Sequence, residues 1–175
     1  FRSAGVEIKA LCDSDSEKRD LAKSKYPECD IFESATELIS RSKIDVLSIA
    51  SYDQNHASQI LLALESGLHV FCEKPLCLTE EDLNLIHSAL ISNPNLRLTT
   101  NTILRMSQRF SEVRNRVIAG ELGRLYCVEA DYNYGRLHKL LKGWRGKISD
   151  YSVMLGGGIH MIDLVKWILN SPIVE

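Results

Sequence analysis

Along the first hundred residues, short apolar runs alternate with longer stretches whose apolar residues recur at helical spacing. That alternation predicts a parallel β-sheet with crossover helices. Residues 6–12 read as a strand, and residues 16–26, rich in Lys and with Glu17, Leu21 and Ala22 among them, as a helix stopped by Pro27. Ile31 and Phe32 make a brief strand, Ser34 is a candidate cap, and residues 35–41 give a short helix. Residues 45–50 form a strongly apolar strand, as a strand covered on both faces requires. Residues 57–66 supply its helix, with Gly67 suited to the left-handed position after the last turn. The next strand, residues 69–72, runs into Glu73-Lys74-Pro75. Thr79-Glu80-Glu81-Asp82 has the form of a capping box and opens a helix reaching Ile91; Asn93-Pro94 ends it, and residues 96–100 give one more strand.

The pattern then changes. Phe110, Val113, Val117 and Ile118 mark a helix closed by Gly120 and Gly123, and residues 125–134 alternate strictly. One long two-faced strand of that kind suits an antiparallel sheet with a wet face. The predicted organisation is therefore a doubly wound α/β domain over residues 1–122, followed over residues 123–175 by the start of an α+β domain with an open antiparallel sheet. Both ends are expected to be truncated: the residues after 123 are too few to cover such a strand. In dinucleotide-binding sheets an acid at the end of the second strand lies about 20 residues beyond the glycine-rich turn. If Asp13 is that acid, the turn and the first strand precede Phe1, and residues 1–5 are the tail of the first crossover helix with Gly5 as its stop. No G-x-G-x-x-G occurs in the chain.

Composition narrows the class. The 175 residues are 45% hydrophobic and 25% charged, with a mean hydropathy of -0.10, which fits a globular protein and excludes a disordered one. Twenty-one basic and 23 acidic residues leave a net charge of -2, so neither nucleic acid nor a membrane surface is an expected partner. Five widely spaced cysteines without a C-x-x-C pair argue against a disulfide framework or a zinc ribbon and for a reducing cytoplasm. No apolar run approaches the roughly 18 residues that span a bilayer. The five histidines make no H-x-x-x-H pair, and no metal is expected. G-x-S-x-G and the Walker lysine motif are absent.

The chemistry concentrates in a few places. Ligands of open parallel sheets bind outside the carboxyl ends of the strands. Lys74, directly after a strand, can there hydrogen-bond a substrate hydroxyl and a cofactor ribose, and Pro75 can fix a tight, cis turn that aims it, with Glu73 alongside. A solvated loop lysine is the plainer alternative. Asp13 can accept both hydroxyls of an adenosine ribose, which favours NAD over NADP, or be an ordinary turn aspartate. Ser51 and His56, after the strand at 45–50, lie where a nicotinamide would, and a plain helix start competes with that reading for His56. Asn101, after the strand at 96–100, and Tyr151 are candidate substrate contacts.

Gly156-Gly157-Gly158 precedes a helix whose first turn holds His160. Glycines permit close approach to the backbone, and an imidazole there can take a hydroxyl proton while hydride leaves the same carbon. A structural histidine is the alternative. Asp163 either orients His160 or favours the helix start; Trp167 reads as core. Arg105, Arg109, Arg114 and Arg116 spread over several helix faces and read as solvated surface.

Taken in order, Ala10-Leu11-Cys12-Asp13, residues 45–50 with His56, residues 63–75 ending in Glu-Lys-Pro, Gly120-Glu121-Leu122-Gly123 and the Gly-rich His160-Met161-Ile162-Asp163 helix resemble the glucose-fructose oxidoreductase and inositol dehydrogenase (Gfo/Idh/MocA) family. The resemblance implies a Rossmann domain, a second domain on an open antiparallel sheet, and NAD(P)-dependent oxidation or reduction of a sugar, nucleotide sugar or polyol. It also implies a homodimer or homotetramer. Lys74 then matches the lysine contacting substrate and nicotinamide ribose, His160 the base or substrate ligand, and Asp13 the ribose acid. Many members carry an aspartate four residues before the histidine, where this chain has Gly156. Either Lys74 and His160 suffice, or Tyr151 or Asp150 substitutes, or the protein is a dinucleotide-dependent sensor that binds without catalysing.

Overall fold

The computed structural model describes residue 3 and residues 5–135, 137–147 and 151–172. The chain divides into two compact units, Phe1–Thr100 and Asn101–Glu175. The division falls well before the boundary expected at residue 122, because the helix after β5 packs within the second unit.

In the first unit the strands are β1 (Ala10–Cys12), β2 (Asp30–Phe32), β3 (Val46–Ile49), β4 (His69–Cys72) and β5 (Leu98–Thr100). The helices are α1 (Ser16–Lys25), α2 (Ala35–Arg41), α3 (His56–Glu65) and α4 (Glu80–Ser92). Every strand pair is parallel; β1 and β2 form one sheet, and β3, β4 and β5 a second in that order. The first strand is shorter than its alternation predicts. Residues 10–12 pair in register with β2, Lys9 O accepts from Asp30 N at 3.0 Å, and residues 6–8 lie before the ladder. Gly5 has φ +75°, as a chain stop would, whereas Phe1, Arg2 and Ala4 lie outside the described residues.

Local chemistry explains the helix ends. Ser34 Oγ accepts from Glu37 N at 3.1 Å and Thr79 Oγ1 from Asp82 N at 3.1 Å, so both expected caps form. Asp15, rather than Asp13, caps α1, its Oδ1 accepting from Glu17 N at 3.0 Å. At the end of α3, Gly67 takes φ +77° while Leu68 N donates to Ala63 O and Gly67 N to Leu64 O, at 2.9 and 3.0 Å. That is the paired closure a left-handed glycine permits. Ile60, Ala63 and Leu64 of α3 pack with Ile49, Val70, Cys72 and Ile86 in the core. Their burial holds β3 and β4 rigidly under the loops that leave them.

The second unit holds α5 (Gln108–Ile118), α6 (Leu137–Lys142) and α7 (Ile159–Leu169). α5 packs against α7. The long strand expected over residues 125–134 forms no ladder: among the described residues of this unit there is no strand to pair with it. Tyr126, on this segment, is 99% exposed.

Candidate active site

The register Ile49↔Cys72↔Thr100 brings the carboxyl ends of β3, β4 and β5 level. Ser51 and the Glu73-Lys74-Pro75 turn therefore leave the same edge of one sheet. Glu73 N extends the ladder by donating to Ile49 O at 2.8 Å, and the Lys74–Pro75 peptide is cis. Lys74 is half-buried and Pro75 buried. Ser51 Oγ donates to Gln59 Oε1 at 2.8 Å.

His56, at the start of α3, is fully buried. Its Nδ1 lies 2.6 Å from Pro75 O and its Nε2 3.2 Å from Ser51 O. Both ring nitrogens are thus turned to backbone carbonyls of the two loops. Asp13 follows β1. Its Oδ1 accepts from Asp15 N at 3.0 Å, and its Oδ2 lies 3.7 Å from Lys18 Nζ. The side chain stays 38% exposed, so the turn role and a ribose contact are compatible.

In the second unit, residues Met154–Gly158 form a wide turn of π type that runs directly into α7 and His160. The three glycines are each covered by a side chain. A Cβ at Gly156 would lie 1.8 Å from the Tyr151 hydroxyl, one at Gly157 2.7 Å from the Tyr132 ring, and one at Gly158 2.8 Å from the Met154 sulfur. The Tyr132 ring centroid stands 6.2 Å from that of His160, and Tyr151 meets Trp144 edge-on at 6.4 Å. The glycines thus admit two phenols close to the backbone that leads into His160. Asn101 is half-buried and follows β5 directly. Asp150 lies outside the described residues.

Asp163 does not stand alone at the helix start: its carboxylate is gripped by Arg105. Arg114 lies over the Trp167 ring at 5.1 Å and its Nε donates to Trp167 O at 3.1 Å. Two of the four arginines read as solvated surface are therefore ties to α7. Burial, with help from the Glu73 carboxylate, pushes the Cys72 thiol up to about 12, and burial also raises Cys12 and Cys77. Cys72 is thus a packing group and not a nucleophile. Among the described residues no helix is long and apolar enough to cross a membrane, and no cluster of three His, Cys, Asp or Glu forms a metal site.

Parallel strands with crossover helices, an acid after β1 and a lysine turn after β4 define a Rossmann-type domain joined to a second unit. Residues 2–101 match the oxidoreductase family with an NAD-binding Rossmann fold, and residues 110–175 match the GFO/IDH/MocA C-terminal domain. The chain belongs to the GFO/IDH/MocA family. An inositol 2-dehydrogenase of Salmonella typhimurium is 27% identical over 170 residues, which cover 96% of this chain and 48% of the relative. A D-glucoside 3-dehydrogenase of Escherichia coli is 28% identical over 176 residues, covering 97% of this chain and 48% of the relative. The fold is that of scyllo-inositol dehydrogenase from Lactobacillus casei, solved with NAD(H) and scyllo-inositol, at TM-score 0.82 and 22% identity over 94% of this chain and 48% of that one. The chain spans about half the length of these relatives.

Proposed function

We propose that the protein carrying this chain is an NAD(P)-dependent oxidoreductase that transfers a hydride between nicotinamide and a secondary carbinol or keto carbon. Its substrate is a sugar, nucleotide sugar or polyol. The observation that carries this reading is the family match of both halves of the chain, in order, with Lys74 at the end of β4 and His160 in the first turn of α7.

The residues present fit the nucleoside parts of NAD. Asp13 offers a partly open carboxylate after β1, which accepts ribose hydroxyls and repels a 2'-phosphate. Ser51, Glu73, Lys74 and Pro75 lie at the level ends of β3 and β4. No residue of this chain is assigned to the pyrophosphate. Bound oxidised nicotinamide supplies the hydride acceptor. On the protein's side, Lys74 donates from its ammonium to the substrate oxygen and stabilises the negative charge that grows there. His160 takes the hydroxyl proton as the carbon–hydride bond breaks. Its Nδ1 is buried, which leaves Nε2 as the nitrogen that receives it. The substrate leaves as a ketone, one hydride and one proton poorer. Asn101 and Tyr151 complete the substrate contacts, Tyr151 bringing its hydroxyl into the space that a side chain at Gly156 would fill.

That hydroxyl favours the enzyme over the sensor, since a polar group stands where Gly156 leaves room. The protein works in the cytoplasm, in keeping with its five free thiols, and as a homodimer or homotetramer. The test is NADH formation from NAD+ with myo-inositol, scyllo-inositol, methyl glucoside and a nucleotide sugar. Turnover on one of them is expected. Tight NADH binding with no turnover across such a panel, together with capture of a partner protein, favours the sensor instead.

A further inference from the structure

Each of the two loops that leave β3 and β4 offers one carbonyl to the same imidazole. His56 has no solvent-exposed surface, its Nδ1 is 2.6 Å from Pro75 O and its Nε2 3.2 Å from Ser51 O. A carbonyl oxygen only accepts, so the short contact requires the proton on Nδ1; in that neutral tautomer Nε2 packs against Ser51 O without a second hydrogen bond. The ring is anchored in turn, because it stands on the first turn of α3, whose Ala57, Ile60, Ala63 and Leu64 are buried in the core. With no exposed surface, the imidazole has nothing to present to a nicotinamide.

We infer that His56 is a positioning residue for Lys74: by donating to Pro75 O while seated under the loop at Ser51, it fixes the Glu73-Lys74-Pro75 turn relative to the ends of β3 and β4. This replaces the direct cofactor contact expected for His56, and it rests on the proposed role of Lys74. The chemical basis is simple. An ammonium on a four-carbon stem places its charge only as well as its backbone is held, and a misplacement of about 1 Å at a reacting centre costs up to about a hundredfold in rate. A buried carbonyl deprived of its donor also carries a desolvation penalty, which drives the turn to rearrange.

The experiment compares His56→Asn with His56→Leu in the protein carrying this chain. The Asn amide nitrogen sits close to where Nδ1 sits and can still donate to Pro75 O; Leu fills the space and cannot donate. Two quantities are read: amide hydrogen exchange over residues 72–78, and kcat and KM for NAD+ reduction with myo-inositol. Positioning predicts that H56L exchanges at least about tenfold faster over this peptide and loses about tenfold in kcat, with H56N close to wild type in both. A packing role predicts the reverse order, since leucine fills an apolar site better than asparagine. Equal behaviour of the two variants, or H56L closer to wild type, overturns the inference. If H56L does not fold, H56N decides alone: raised exchange over residues 72–78 overturns it, and retained protection upholds it. Lys74→Ala separates the two layers. It should lower turnover about a hundredfold or more and leave the exchange pattern intact; if turnover stays near wild type, the role of Lys74 fails, while exchange still judges what His56 holds.

Discussion

Arg105 and Asp163, 58 residues apart in the chain, meet in a two-pronged ion pair, with Nε 2.8 Å from Oδ2 and Nη2 2.5 Å from Oδ1. The carboxylate is 15% exposed and stands three residues after His160, so the pair ties the segment after β5 to the helix that carries the proposed base. The hydrogen bond to Asp163 also raises the Arg105 pKa, the direction expected of a guanidinium held by a carboxylate. Arg105→Ala is expected to cost about 1 kcal/mol in urea denaturation, the upper range for a partly exposed pair with fork geometry. A double cycle with Asp163→Asn should show coupling between the two. Additive losses would mean that the contact contributes nothing.

Tyr151 and Gly156 yield the second prediction. A Cβ at 156 would meet the Tyr151 hydroxyl at 1.8 Å, so Gly156→Ala must drive the phenol away. Tyr151→Phe removes only the hydroxyl and leaves the ring against Trp144. If that hydroxyl contacts substrate, each variant lowers kcat/KM about tenfold, and the double variant is no worse than G156A. A Y151F protein with wild-type kcat and KM would show that the ring serves packing alone.

How much of this was legible beforehand differs by element. The caps at Ser34 and Thr79 and the left-handed Gly67 were readable because each depends on chemistry within a few residues. The four-residue strand at His69–Cys72 and the helix at Ala35–Arg41 have the limits expected of them. Residues 6–8 and 125–134 alternate as strands do, but alternation marks the capacity to pair, while pairing itself needs a neighbour. The ion pair of Arg105 and the stacking of Arg114 on Trp167 were illegible, since no local spacing encodes a contact across more than 50 residues. His56 was visible as a chemical group, but the direction of its two nitrogens came only with the fold.

Asp13 distinguishes the two nucleotides. Since Asp15 is the α1 cap, Asp13→Ala should scarcely alter stability. If Asp13 binds the adenosine ribose, the variant loses about tenfold in NADH affinity and improves relative to wild type for NADPH, measured by fluorescence titration. Unchanged NADH affinity would leave Asp13 as a turn residue only.

Cys72 gives a prediction with a clear sign. A thiol whose pKa is pushed up to about 12 stays protonated in the folded protein, with about one part in ten thousand as thiolate at pH 8. Iodoacetamide at pH 8 should therefore label exposed Cys127 and leave Cys72 intact until the protein is denatured. Mass mapping of the labelled peptides checks this; labelling of Cys72 at the rate of Cys127 in folded protein would contradict the burial assigned to it.

The proposed roles of Lys74 and His160 in one hydride transfer are the centre of the account, and kcat in wild type, Lys74→Ala, His160→Ala and the double variant, measured on the substrate that gives the fastest NADH formation, tests them together. Loss of about a hundredfold or more is expected in each variant, with the double variant no slower than the worse single one and NADH affinity nearly unchanged in H160A. Full wild-type turnover in H160A, or losses in the two single variants that multiply in the double, would contradict a shared role in the same step.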